Sequence, residues 1–110
     1  MRIGDPNPDL ADLPEDVRRH AHVFPNREVA WPNDHAEAAV EAIAAASRIV
    51  LGLDARTLYS DGKLMEIPIS AWQEHEGESH QTAVERARRE ALDALPLARR
   101  EGTHVLIDWA

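Results

Sequence analysis

Cysteine is absent from the chain, which removes disulfide scaffolds, thiolate zinc sites, iron–sulfur ligation and thiol nucleophiles together. Long apolar runs are also missing, and the opening Met1-Arg2-Ile3-Gly4-Asp5-Pro6 lacks the basic-then-apolar order of a secretory leader. Membrane spans and export are therefore not expected, and the cytoplasm is the expected compartment. Basic residues are few: 12 Lys+Arg against 20 Asp+Glu leave a net charge of −8. Such a surface repels a phosphate backbone, so direct nucleic-acid binding is not expected. The 5 glycines form no dinucleotide fingerprint, phosphate loop or nucleophile elbow, which leaves nucleotide cradles and serine-hydrolase turns without support.

What remains is an ordinary globular composition. The 110 residues are 44% hydrophobic and 29% charged, enough for one domain around one core. Eleven arginines against one lysine, with eighteen alanines, match the codon bias of a GC-rich genome and point to a bacterial source. The acid excess is uneven. Residues 61–80 hold Asp61, Glu66, Glu74, Glu76 and Glu78 against Lys63, a net of −4 and half of the total, whereas residues 81–110 balance five acids with five arginines. A solvated loop suited to the positive end of a following helix is the plainer reading of this cluster; the sharper one is a docking patch for a basic partner.

Pro6, Pro8, Pro14 and Pro25 fall within residues 1–27, which we read as an N-terminal arm. It contains a possible short helix that starts at Pro14 and turns Leu13 and Val17 inward. Residues 28–110 form the domain proper. Residues 27–31 alternate and stop at Pro32, giving a brief strand with Val29 and Trp31 on one face. Asp34, three residues before Glu37, has the spacing of a helix cap, and Ala36, Ala39, Val40 and Ile43 continue a helix to about residue 47. Residues 48–59 switch to a period of two, with Ile49, Leu51 and Leu53 on one face and Val50, Gly52, Asp54 and Arg56 on the other. Asp61-Gly62 then predicts a hairpin turn into a strand over 64–72, whose Pro68 suits a sheet edge. A second helix over 79–95 is expected to end or kink at Pro96, and residues 103–109 supply the last strand.

The order β-α-β-β-α-β predicts an α+β fold: a split β-α-β sheet of four mainly antiparallel strands with two helices on one face. The other face has no helix over it. On this register it carries Asp54, Arg56, Glu66, Ser70, Trp72, His104 and Asp108, unless the arm covers it.

No residue set writes a reaction. His20-x-His22 lies in the arm, and His75 and His80 are spaced one residue too far for the helical His-Glu-x-x-His zinc pattern, so no metal and no cofactor are expected. Asp54, Glu66, His104 and Asp108 share the open sheet face and form the one constellation from which a general acid/base pair can be drawn. Charged residues on a solvated face are the plainer reading, and no catalytic residue is assigned. Trp31 and Trp109 read as core, whereas Trp72 adjoins the acidic loop and can anchor a partner or cap the core edge.

The segments Glu28-Val29-Ala30-Trp31-Pro32-Asn33-Asp34-His35-Ala36-Glu37 and Arg48-Ile49-Val50-Leu51-Gly52-Leu53-Asp54 carry a family resemblance, together with Glu66-Ile67-Pro68-Ile69-Ser70-Ala71-Trp72 and His104-Val105-Leu106-Ile107-Asp108-Trp109. The chain resembles the small cytosolic immunity proteins encoded beside bacterial polymorphic toxins. The resemblance spans residues 28–110 and includes no catalytic signature. It implies a non-catalytic acidic antitoxin that binds a cognate, commonly basic toxin or effector enzyme and occludes its active site. On that expectation Asp54, Glu66, Glu74, Glu76 and Glu78 supply charge and Trp72 supplies the anchor. The alternative is a ferredoxin-like, homo-oligomeric regulatory or ligand-binding module whose open sheet face pairs with a second copy.

Overall fold

The computed structural model describes residues 10–25, 27–57, 65–68 (backbone only) and 77–110. Its elements are α1 (Glu15–Arg18), β1 (His22–Val23), β2 (Val29–Pro32), α2 (Ala36–Ala45), β3 (Val50–Arg56), β4 (Met65–Pro68), α3 (His80–Glu101) and β5 (His104–Trp109), with 3-10 turns at Leu10–Asp12 and Asn33–His35. The architecture is α+β: α2 and α3 pack against each other and against a mixed-order antiparallel sheet. Neighbouring strands run β1-β2-β5-β3-β4, every described pair antiparallel. β2 and β3 are thus parallel to each other with β5 between them, and β4 and β5 are parallel with β3 between. Each helix therefore closes a split β-α-β unit. The two-residue β1 extends this sheet beyond the expected four strands. Among the described residues no helix is long and apolar enough to cross a membrane.

Pattern explains most of this. Val29, Trp31, Leu53, Ala55, Val105, Ile107 and Trp109 fall on one sheet face by their period of two and join the core beneath the helices. The Trp31 and Trp109 rings meet at 5.8 Å between centroids. Both helices bury alanine, Ala36, Ala39, Ala42 and Ala44 in α2 and Ala83, Ala87, Ala91 and Ala98 in α3. Small side chains let the backbones approach closely, so two helices fit over a narrow sheet.

Four expectations need correction. The helix after Asp34 begins at Ala36 without a side-chain cap. Its entry is instead tied to the far end of α3: Asn33 Nδ2 donates to the carbonyls of Gly102 at 2.7 Å and Arg99 at 3.2 Å, and Arg99 Nε donates back to the Asn33 carbonyl at 3.0 Å. β3 does not alternate cleanly, since Val50 is buried in the core although it shares parity with Gly52 and Asp54. A register shift between Val50 and Gly52 makes Leu51 the extra residue of a bulge. α3 continues through Pro96 to Glu101. Pro96 is exposed, and the buried Leu95 and Ala98 on either side hold the helix to the core, so one missing amide does not end it. Residues 10–25, finally, are more than an arm. Leu13 and Val17 turn into the core as expected, and the segment is also tied to β2, the indole Nε1 of Trp31 donating to the Val17 carbonyl at 3.0 Å.

The end of α2 is closed by two backbone bonds, Arg48 N–H to the Ile43 carbonyl at 3.0 Å and Ser47 N–H to the Ala44 carbonyl at 2.9 Å. This pairing requires a left-handed residue, and Ser47 supplies it at φ 60°. α3 starts one residue after the expected position, with Ser79 as its cap, the hydroxyl accepting from Thr82 N–H at 3.1 Å. Pro68 sits in β4 at the sheet edge, where a strand can spare an amide. The Asp61-Gly62 turn lies outside the described residues.

Candidate functional site

The face of the sheet opposite the helices carries the residues that sequence singled out. Register aligns His22, Ala30, Leu106, Asp54 and Glu66 in one row across all five strands, and Pro32, His104 and Arg56 in the next. This face is closed at its centre. Ala30 and Leu106 are 0% exposed, Asp54 2% and Arg56 8%, so the expectation of an open charged surface is revised.

Part of the cover is the β1–β2 hairpin. Its Phe24 ring lies 4.8 Å beneath the Arg56 guanidinium, and its Glu28 carboxylate accepts from Arg56 Nη1 at a long 3.4 Å. A cation over an aromatic face and beside a carboxylate recovers some of the hydration lost on burial. His22 meets Phe24 edge-on at 4.7 Å. His104 is pushed below the ordinary histidine value, first by burial and then by the nearby His22. The sequence signal for this cluster was the even parity of Arg56 and His104. What it lacked was the hairpin, because residues 1–27 read as an arm with no strand before residue 27.

This geometry sets Asp54 apart from the two β5 groups once considered with it for proton transfer. Asp54 is directly opposite Leu106, and His104 and Asp108 stand two residues either side of Leu106 along β5. Each is therefore a diagonal neighbour of Asp54, roughly 7–8 Å away between backbones, with the buried Leu106 side chain in the middle. Register also places Glu66 across from Asp54. Among the described residues no group of three or more His, Asp or Glu side chains is arranged to hold a metal ion. His20 and His22 diverge: His20 stacks on His35, while His22 turns to Phe24. His80 Nε2 is 2.7 Å from the Ser47 carbonyl.

The expected docking residues fare differently from one another. Asp54 is enclosed, as above. Glu78 is half-buried and clamped by one arginine, Arg86 Nε to Oε2 at 3.0 Å and Nη2 to Oε1 at 2.8 Å. That bidentate bond is the main reason the Arg86 pKa is raised. Glu78 therefore pins the start of α3 and is not presented to a partner. Trp72, Glu74 and Glu76 lie outside the described residues. A shallow groove of about 440 Å³ between the end of α2 and the start of α3 is lined by Glu41, Ser47, Gln81, Glu85 and Arg88, among others. Glu41 is exposed on α2 and accepts from Arg88 Nε at 2.8 Å, which raises the Arg88 pKa. Comparison with protein families, curated proteins and solved structures finds no match to this chain.

Proposed function

We propose that this chain is a cytoplasmic, non-catalytic binding protein that neutralises a basic toxin or effector enzyme by covering its active site. The observation that carries this reading is charge: −8 in 110 residues, half of it within residues 61–80. An anionic surface of that density accelerates encounter with a cationic partner by orders of magnitude at low salt, and suits an enzyme that is basic because its own substrate is nucleic acid. A standard interface of about 1,600 Å² is within reach of a domain this size. The contact surface we assign is the acidic stretch around Trp72, Glu74 and Glu76, since Asp54 and Glu78 are engaged internally. The family resemblance of residues 28–110 supports the same reading.

The closed sheet face weighs against the oligomeric alternative. A dimer that pairs open sheets gains its stability from burying apolar surface, yet Ala30 and Leu106 are already inaccessible within one chain. The test is sedimentation together with co-purification from a host that encodes the chain. A monomer that captures a cationic enzyme in a one-to-one, salt-sensitive complex supports the proposal. A salt-insensitive homodimer that captures nothing refutes it.

A further inference from the structure

Residues 10–21 and the hairpin that follows them are fastened to the molecule in different ways. The backbone bonds of residues 10–21 are local: Leu13 N–H to the Leu10 carbonyl at 2.9 Å, Val17 and Arg18 N–H to the Pro14 carbonyl at 3.1 and 2.9 Å, Arg19 N–H to Glu15 at 3.0 Å and Ala21 N–H to Arg18 at 3.0 Å. Among the described residues no main-chain hydrogen bond joins this segment to another element, and pairing with the sheet begins only at His22, opposite Ala30. α1 has four residues and no side-chain cap at Pro14, too short a helix to stand without tertiary support.

That support is thin. Leu13 and Val17 are the buried side chains of the segment, with Leu10 and Ala21 packed partly against the core, while Asp16, Arg18 and Arg19 are exposed. The Trp31 indole bond to Val17 and the stacking of His20 on His35 at 3.7 Å add to them. The Asp12–Arg48 ion pair, whose side chains are 41% and 40% exposed, adds little in water. So few buried groups stand against the chain freedom that ordering the whole segment removes. The hairpin is held more firmly: Phe24 N–H donates to the Glu28 carbonyl at 2.8 Å, and the Phe24 ring lies against Arg56. Trp31, beneath the segment, is fixed independently of it by its pairing with Val105 and by the Trp109 ring.

We propose that residues 10–21 are a detachable strap, which pivots between Ala21 and His22 and uncovers Trp31 while α2, α3 and the sheet stay folded. Opening breaks the Trp31–Val17 bond, the Asp12–Arg48 pair and the His20–His35 stack together, because one short piece of chain carries all three. It withdraws Leu13 and Val17 from the core and leaves every described strand pair in place. Segments with few buried apolar groups and only local backbone bonds are the ones that open below the level of global unfolding. Access to the Trp31 indole, 0% exposed when the strap is closed, is then set by the strap and not by the stability of the domain.

Hydrogen exchange on the full chain tests this, read at the Trp31 indole N–H and at the backbone N–H groups of Val17, Arg18, Arg19 and Ala21, against amides in the middle of α3 and in β5. After correction for intrinsic exchange, the strap sites are expected to share one opening constant, at least about a hundredfold larger than that of α3 and β5. In a urea series the strap constant changes little, because opening exposes little surface, whereas the α3 and β5 constants rise steeply. Val84→Ala removes core packing from α3, while α1 packs on α2. It is expected to raise opening at α3 and β5 severalfold or more and to leave the strap sites unchanged. The proposal is overturned if the strap sites follow α3 and β5 through the urea series, or if they rise in parallel in Val84→Ala. It is equally overturned if the Trp31 indole stays protected while the Val17, Arg18 and Arg19 amides exchange, since α1 would then fray without leaving the core.

Discussion

At Gly102 the chain lies close against the backbone of β3, and of the described glycines it is the one where alanine should cost more. A Cβ built there falls 2.5 Å from the Arg56 carbonyl oxygen, 2.9 Å from its nitrogen and 3.1 Å from its carbonyl carbon. All three are main-chain atoms of β3, which is paired on both sides and cannot yield as a side chain would. Relief requires α3 and β5 to move off β3, a packing strain of about 1–3 kcal/mol. The movement also strains two hydrogen bonds, Asn33 Nδ2 to the Gly102 carbonyl at 2.7 Å and Thr103 N–H to the Arg56 carbonyl at 3.0 Å, each worth about 0.5–1.5 kcal/mol. Together these predict a loss of about 3 kcal/mol, or roughly 10–15 °C in Tm for a domain of this length. Urea unfolding followed by circular dichroism measures it. Gly77→Ala is the matched control: its φ of +79° disfavours a side chain, yet nothing lies within 4 Å of the added carbon, so its cost stays near 1 kcal/mol. Were Gly102→Ala no more destabilising than Gly77→Ala, the close approach that positions Arg56 and His104 would be wrong.

Three further perturbations have defined outcomes. Ser47→Gly removes a left-handed side-chain penalty at the end of α2 and should raise stability by about 1 kcal/mol, seen as a higher urea midpoint with an unchanged slope. His104 has its pKa lowered by folding, so the unfolded chain binds the extra proton. Its contribution is complete above the ordinary histidine value of about 6.5 and is lost as pH falls from there toward the folded value; His104→Gln should flatten that limb of a stability–pH profile, and an unaltered profile would contradict the assignment. Reversing Glu74 and Glu76 to lysine should slow partner association and weaken its salt dependence while leaving the urea midpoint in place. Glu78→Lys, by contrast, should lower the midpoint because it breaks the Arg86 clamp.

Legibility followed locality. The strands around Trp31, Leu53 and Val105, the start of α3 near residue 79 and the alanine-rich stripe of α2 were written in periods of two and 3.6, because each depends on neighbours within a turn or a strand. The bulge at Leu51 was hidden, since it is fixed by the partner strand β5. So was the start of α2, where the long-range bonds of Asn33 replace the local cap that Asp34 and Glu37 spell out. Pro96 misled for the same reason: propensity marks a break, and the buried Leu95 and Ala98 override it. Asp54 was the costliest case. Its parity correctly set it opposite the helices, but parity does not tell a solvated face from one that the rest of the chain closes. Sequence left open whether the arm covers this face, and nothing local showed that Phe24 within the arm and Glu28 at the start of the domain meet Arg56 there.

Neutralisation by occlusion is tested most directly by stoichiometry. When the enzyme captured by this chain is titrated with the purified protein, its activity should fall linearly to zero at one equivalent. Both chains should then be recoverable chemically unchanged from the complex. Loss of activity at a small fraction of an equivalent, or a covalent change in either chain, would show that the protein works by turnover and would contradict the account.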